Sequence, residues 1–369
     1  MRILFATGGS GGHVYPVVAV AQAVAGLAAQ SGKELELEII GSSRFFAYIS
    51  DLNIPIRRTW DAKARNYFSL LNFLDALKLP FIFFQSLFYV WRFMPDLVFA
   101  KGGYASYMPS LVARLFFIPI YIHESDSIPG KANMALAKHA KRIFISFESS
   151  ASYFDAAKTQ LVGDPIRMEL MGGDRSEAIG SFQFTETKPV LLISGGSQGA
   201  EKINTVLKES LVELISQFQI IHQCGGDLYK TFNDTIQQII KEGEGSYGKQ
   251  IQGGYRLYPF LNTGELTMAY AAADVIVNRA GSASLFEIAA LGKPAIVIPI
   301  TNSANNHQMN NAIEFAKFGG RILDEQNLTT QVFIKDIRDA YDHRAEISQQ
   351  IKGFARPDAA QLIAQELLK

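Results

Sequence analysis

Short, continuous apolar runs recur along the chain with helix-length segments between them, and this alternation is what most limits the fold. The first series is Ile3–Ala6, Leu35–Ile40, Leu97–Ala100, Ile120–His123 and Arg142–Ser146. The second is Val190–Ser194, Phe218–Gln223, Ile251–Gly253, Val275–Asn278 and Ala295–Ile300. A strand written as an unbroken Val/Ile/Leu run is buried on both faces, which means a parallel sheet covered by helices on either side. The polar, Gly-containing stretch Gly172–Lys188 separates the series and reads as a linker region. The expectation is two doubly wound α/β domains of similar size, with ligands beyond the carboxyl ends of the strands. The last helix, Asp358–Leu368, could pack on either domain.

Composition removes several function classes. Of 369 residues, Lys plus Arg number 35 and Asp plus Glu 35, so no basic excess marks a nucleic-acid-binding chain. Cys224 is the one cysteine, which excludes an internal disulfide and a cysteine-based zinc site and fits a reducing compartment. The apolar run Ile3–Ala6 is shorter than the about 7–15 residues of a signal-peptide core, and a glycine loop follows it, so it reads as a buried strand of a cytoplasmic protein. The chain carries 26 Phe, many of them in Phe68–Met94. Asp75, Lys78 and Arg92 interrupt that segment, and the uncharged run Leu79–Trp91 falls short of the about 20 residues a spanning helix needs. Pro80 marks a break or a helix start there. The segment should lie on a membrane surface or fill a core.

Four loops follow strands with the chemistry of anion or sugar sites. The first, Thr7-Gly8-Gly9-Ser10-Gly11-Gly12-His13, leads to a helix expected near Pro16. Glycines allow the tight turn and let a ligand approach the N–H groups, while the helix N-terminus favours an anion. The loop lacks the Gly-Lys-Ser/Thr of a Walker A sequence, and Val14 occupies the last glycine position of a G-x-G-x-x-G fingerprint. A second cradle is Gly195-Gly196-Ser197-Gln198-Gly199-Ala200. A third, Asn278–Glu287, carries Arg279 and Ser282 and places Glu287 inside a helix, where it could accept both hydroxyls of a ribose or simply sit in solvent. The fourth, Pro299–Asn311, is dense in amides and holds His307 and Gln308, groups that both donate to and accept from sugar hydroxyls or cap a helix. Lys101–Ser106 and His123–Ser127 end two further strands of the first series.

In order along the chain, ATGGSGGHVYP, KGGYASYMP, IPIYIHES with IPG, LVGDPIR, ISGGSQGAEKIN, RAGSASLFEIAALGKPAIVIPI and NNHQMNNA closely resemble the MurG family of glycosyltransferases. The resemblance runs through nearly the whole chain. It implies a GT-B fold, two Rossmann-like doubly wound domains facing across a cleft. The first would span 1–166 and carry the acceptor and membrane side, and the second, 167–349, would bind the UDP-sugar. The hinge would lie near Pro165-Ile166-Arg167, with the C-terminal helix of about 350–369 packing back on the first domain. The implied donor is UDP-N-acetylglucosamine, with no bound cofactor or metal, and the implied acceptor is an undecaprenyl-linked lipid. An anionic membrane surface and other cell-wall synthesis proteins would be partners, with no nucleic acid, at the cytoplasmic face of a bacterial membrane.

Carried over by motif, the donor side comprises Ser10, Gly11, Arg167, Ser197, Leu261 through its backbone, Arg279, Ser282, Glu287, His307 and Gln308. The acceptor side comprises Gly12, His13, Tyr104, Glu124 and Asp126, with His13 and Asp126 as catalytic candidates. Phe83, Phe84, Leu87 and Trp91 would enter the membrane, beside Arg57, Arg58, Lys63, Arg65 and Lys78 for anionic headgroups. The family usually has Gln-Asn-Gly where this chain has Ser125-Asp126-Ser127, and Lys101 before the Gly pair is a second departure. The chemistry would be one inverting displacement at the anomeric carbon. His13 suits the base role because a free imidazole titrates near about 6.5. A related glycosyltransferase with another lipid acceptor and a non-catalytic nucleotide-sugar-binding protein are the competing readings.

Overall fold

The computed structural model describes residues 1–60, 70–196, 199–301 and 306–369. It divides the chain into two compact units, Met1–Arg167 with Arg356–Lys369, and Met168–Ala355. Unit 1 runs β1 (Arg2–Gly8), α1 (Gly11–Gln30), β2 (Glu36–Ser42), β3 (Ile56–Arg58), α2 (Leu70–Phe93), β4 (Leu97–Ala100), α3 (Tyr104–Leu115), β5 (Ile120–Glu124), α4 (Lys131–Ala137), β6 (Ala140–Ile145) and β7 (Thr159–Leu161). Its sheet has the order β3-β2-β1-β4-β5-β6-β7 with every pair parallel. The register sets Phe5 against Ile39 and Phe99, so the central strands bury apolar side chains on both faces.

Unit 2 runs α5 (Arg175–Ser181), β8 (Val190–Ser194), α6 (Glu201–Gln217), β9 (Gln219–Gln223), α7 (Gly226–Glu242), α8 (Gly248–Gly254), β10 (Tyr255–Tyr258), α9 (Thr263–Ala272), β11 (Val275–Asn278), α10 (Ser282–Leu291), β12 (Ala295–Val297), α11 (His307–Ala316), β13 (Arg321–Ile322), α12 (Thr330–Asp342) and α13 (Arg344–Ile351). Its sheet, β10-β9-β8-β11-β12-β13, is also wholly parallel. The closing helix α14 (Ala359–Leu367) packs on α1 in unit 1.

In both sheets the strand order reverses at one place, between β1 and β4 in unit 1 and between β8 and β11 in unit 2. At such a reversal the following helices leave to opposite faces and open a crevice beyond the strand ends. The four loops that enter these two crevices are those after Gly8, Ala100, Ser194 and Asn278.

Several local expectations are corrected. Ile251–Gly253 is part of α8, and the strand is the following Tyr255–Tyr258, where residues of alternating character pair with β9. Gly172–Lys188 contains α5, which is capped by Asp174 and packs on α9, so it is a built part of unit 2. The short strands β3, β7 and β13 have no apolar run to announce them, because each sits at the edge of a sheet or next to it. Pro80 lies inside α2, whose buried positions Ile82, Ser86, Val90 and Phe93 continue past it. α1 starts at Gly11 rather than near Pro16. Among the described residues α1 alone is long and apolar enough to cross a membrane, and it is largely buried inside unit 1.

Candidate active site

In unit 1, β1 delivers the chain into the glycine loop at the crevice floor. A Cβ on Gly8 would stand 2.4 Å from the Ala105 Cβ and 2.5 Å from the Ser42 carbonyl oxygen, so only glycine lets β1, β2 and α3 meet there. Gly9 turns with φ +85°, a conformation open mainly to glycine. Ser10 then caps α1 by backbone geometry alone, with no side-chain bond to its first N–H groups. His13 is in the first turn of α1, half-buried, with its carbonyl accepting from Thr7 Oγ1 at 3.0 Å. Its Nδ1 lies 3.2 Å from Ser10 Oγ. When Nδ1 carries the proton and donates to Ser10, Nε2 keeps the lone pair a general base needs. Ser10, expected on the donor, thus engages the imidazole. Gly12 is exposed beside it.

Arg167 falls in unit 1, buried, with its guanidinium 4.3 Å over the Tyr15 ring one turn into α1. That placement sets its positive charge beside the first turns of α1. Tyr104 opens α3 and is exposed, set there by Gly102 and Gly103, both at positive φ. Glu124, expected on the acceptor, is buried, and its carboxylate accepts from the N–H groups of Asp126 and Gly130, both at 3.0 Å, and from Asn133 Nδ2 at 2.9 Å. Burial, and next the charge of Asp126, push this carboxyl up to about 7. Glu124 therefore shapes the loop on which half-buried Asp126 stands.

In unit 2 the second glycine cradle is equally demanding. A Cβ on Gly199 would approach the Cys224 carbonyl oxygen to 2.2 Å, and one on Gly195 would reach the Ala200 nitrogen at 2.4 Å. Ser197 lies outside the described residues. Gln223, which the sequence reading missed, ties this cradle to the next loop: its Nε2 donates to the Gly196 carbonyl at 2.9 Å and its Oε1 accepts from Leu261 N–H at the same distance. The Leu261 N–H is thereby committed within the protein. Glu287 is buried in α10 rather than solvated, with Tyr270 OH 3.4 Å from its Oε2. The N-cap of α10 is Gly281, which has no side chain, and buried Ser282 opens the helix.

Arg279, expected to touch the donor, is buried and held by two bonds within unit 2. Its guanidinium donates to Glu325 Oε1 at 2.6 Å and to the Ile298 carbonyl at 3.0 Å, while Thr301 Oγ1 donates to the other Glu325 oxygen at 2.8 Å. Burial raises the Glu325 carboxyl, but the bonds from Arg279 and Thr301 outweigh it and the net shift is downward. The pair fixes the entry to the amide-rich loop. Gln308 Oε1 accepts from Ile300 N–H at 3.1 Å, which holds His307 and Gln308 at the start of α11.

The membrane candidates divide. Phe84 and Trp91 are exposed on α2, whereas Phe83 and Leu87 pack against the unit 1 core formed by Val90, Val112 and Ile122. Arg57 pairs with Glu38 and Lys78 with Asp75, leaving Arg58 exposed; Lys63 and Arg65 lie outside the described residues.

Comparison with known proteins agrees with this arrangement. The Glycosyltransferase family 28 N-terminal domain matches residues 3–145, and the Glycosyltransferase family 28 C-terminal domain matches residues 190–365. The UDP-N-acetylglucosamine–N-acetylmuramyl-(pentapeptide) pyrophosphoryl-undecaprenol N-acetylglucosamine transferase of Legionella pneumophila (strain Paris) is 34% identical over 360 residues, 95% of this chain and 92% of that protein. A transferase of the same name, numbered 2, from Bacillus anthracis is 32% identical over 98% of this chain and 97% of its own length. Among solved structures, Acinetobacter baumannii MurG superposes with a TM-score of 0.69 at 24% identity, covering 100% of this chain and 99% of that one. A UDP-GlcNAc 2-epimerase from Neisseria meningitidis reaches 0.67 at 16% identity over the full length of both chains, a likeness of fold alone. With both domains matched and relatives above 30% identity over nearly its full length, the chain belongs to the MurG family, with the GT-B fold.

Proposed function

We propose that this protein transfers N-acetylglucosamine from UDP-N-acetylglucosamine to the muramyl 4-hydroxyl of undecaprenyl-pyrophosphoryl-MurNAc-pentapeptide, with inversion. The observation that carries the reading is the near-full-length identity of 34% to a transferase named for that reaction. The site chemistry supports it. Buried Glu287 offers two acceptor oxygens at the reversal of the unit 2 sheet, the position where such a sheet takes a nucleotide. The N-terminus of α10, opened by Gly281, and the Gly195–Ala200 cradle would stabilise charge on the departing UDP. His307 and Gln308 would hold the donor sugar. His13, its ring steadied by Ser10, would take the hydroxyl proton as the new glycosidic bond forms, and Tyr104 and Asp126 would meet the acceptor.

A lipid-linked acceptor calls for a membrane-facing surface, and an exposed aromatic stripe in unit 1 supports that reading. Phe81, Phe84, Phe88 and Trp91 recur at three- and four-residue spacing on α2, and all are exposed. Trp60 adds to the stripe, its ring 5.5 Å from that of Phe81, and Arg58 and Arg92 are exposed for anionic headgroups. Beyond α3, Phe117 is 95% exposed at φ +58°, with its N–H bonded to the Arg114 carbonyl and the Ile118 N–H to the Ala113 carbonyl. Those two bonds make the helix-ending turn in which glycine is the favoured residue. An exposed phenyl ring in a strained glycine position serves an interface better than it serves folding. We therefore place the protein peripherally on the cytoplasmic face of the membrane.

The deciding experiment supplies the purified protein with UDP-N-acetylglucosamine and measures UDP release with and without the lipid acceptor. Release that requires the acceptor, with a disaccharide-lipid product, supports the reading. Release without acceptor, or none with it, overturns it.

A further inference from the structure

The carboxyl edge of the unit 1 sheet contains a charged cluster that no step above uses. Lys101, directly after β4, is fully buried. Its ammonium group has three donors and meets three acceptors: His123 Nδ1 at 2.7 Å, Ser125 Oγ at 2.7 Å, and the Asp164 carboxylate. The acceptors come from β5, from the loop after it, and from the segment that leaves β7 toward unit 2. Because the ammonium can only donate, Nδ1 of His123 accepts, and its Nε2–H donates to the Gly163 carbonyl at 2.9 Å. Burial, then the charge of Lys101, keep that imidazole neutral. The backbone of Lys101 is fixed independently, its N–H bonded to the Ala6 carbonyl of β1 at 3.1 Å.

We propose that Lys101 is a positioning residue for the acceptor side of the transfer reaction, holding Ser125, and with it the Asp126 loop, in register with the segment 163–167. This rests on the reading that the Asp126 loop meets the acceptor. The loop is gripped from two sides, by Lys101 at Ser125 and by Glu124 at the N–H groups of Asp126 and Gly130. Lys101 itself has no exposed surface with which to touch a substrate. A buried ion pair is seldom more stabilising than apolar side chains of the same volume. What the ammonium provides, and apolar packing would not, is three directional bonds that lock three segments to one another.

The test uses the full chain, with acceptor KM and kcat, UDP affinity by calorimetry, and the thermal midpoint as readouts. Lys101→Met strands the Asp164 charge and should lower the midpoint, so it is paired with the double variant Lys101→Met/Asp164→Asn, which removes both charges. The double variant should regain the midpoint and keep its UDP affinity, yet lose acceptor kcat/KM by up to about 10²-fold, the scale of an ångström-size misplacement. Ser125→Ala, which strands no charge, should raise acceptor KM in the same direction. If the double variant regains normal acceptor kinetics with its stability, or if Ser125→Ala is kinetically silent, the cluster only holds the fold and the proposal is overturned. Asp126→Ala separates the two claims. An unchanged acceptor KM in that variant sinks the acceptor reading of the loop and this inference with it. A raised KM there, with normal kinetics in the double variant, sinks this inference alone.

Discussion

Replacing Phe117 with glycine should move stability and membrane affinity in opposite directions. A left-handed backbone costs an ordinary side chain about 1–2 kcal/mol. Glycine relieves that strain but gives back about 0.5–1 kcal/mol through the greater freedom of the unfolded chain. The ring is 95% exposed, so its removal forfeits almost no packing. The net gain is about 0.5–1 kcal/mol, or a rise of about 1–4 °C in the melting temperature for a unit of this size. On a vesicle the same ring would be withdrawn from water, and burying a Phe side chain is worth about 1.5–3 kcal/mol. Losing it should weaken partition onto anionic vesicles by about 10–100-fold, since 1.4 kcal/mol is about a factor of ten. Vesicle co-sedimentation and thermal denaturation of the same preparations measure the two effects. Unchanged vesicle affinity would remove Phe117 from the membrane face, and a lower melting temperature would refute the assignment of backbone strain.

Changing Phe83 and Leu87 to Ser should destabilise unit 1 by about 2–5 kcal/mol, because both pack on its core, while the same change at Phe84, Phe88 and Trp91 should release the protein from vesicles without loss of helical circular dichroism. Glu287→Ala should weaken UDP binding by about 1–3 kcal/mol, and equal calorimetric affinities for variant and parent would take Glu287 out of the donor site. His13→Ala should lower turnover by about 10²–10⁴-fold while UDP affinity stays the same; near-normal turnover would transfer the base role to another group. Glu124 gives a pH signature: its carboxyl is raised from 4.5 to about 7 in the folded state, so its contribution to stability is complete below pH 4.5 and is lost as pH rises through about 7. Glu124→Gln should flatten that part of the stability–pH curve between pH 4.5 and 7, and parallel denaturation curves for variant and parent would contradict the assignment.

The sequence by itself determined the fold class and the loops that matter. Unbroken apolar strands can only be buried on both faces, which dictates parallel sheets under helices, and the glycine loops are legible because no other residue permits their turns. The motifs, taken in order, named the family. Side-chain allegiance was decided by tertiary structure alone. Arg279 follows a strand end in sequence, and only the fold sets its guanidinium against Glu325, far along the chain. Glu124 stands in a polar loop in sequence, and only the fold brings three N–H groups onto its carboxylate. Phe83 and Phe84 are neighbours of one type, and only the packing of α2 on the core sends one inward and leaves the other in solvent. The edge strands β3 and β13 carry no apolar run, because their pairing is supplied by the strand beside them. A charged or amide side chain has several partners of nearly equal affinity, and the choice among them is made by residues distant in sequence that the fold brings within hydrogen-bonding reach.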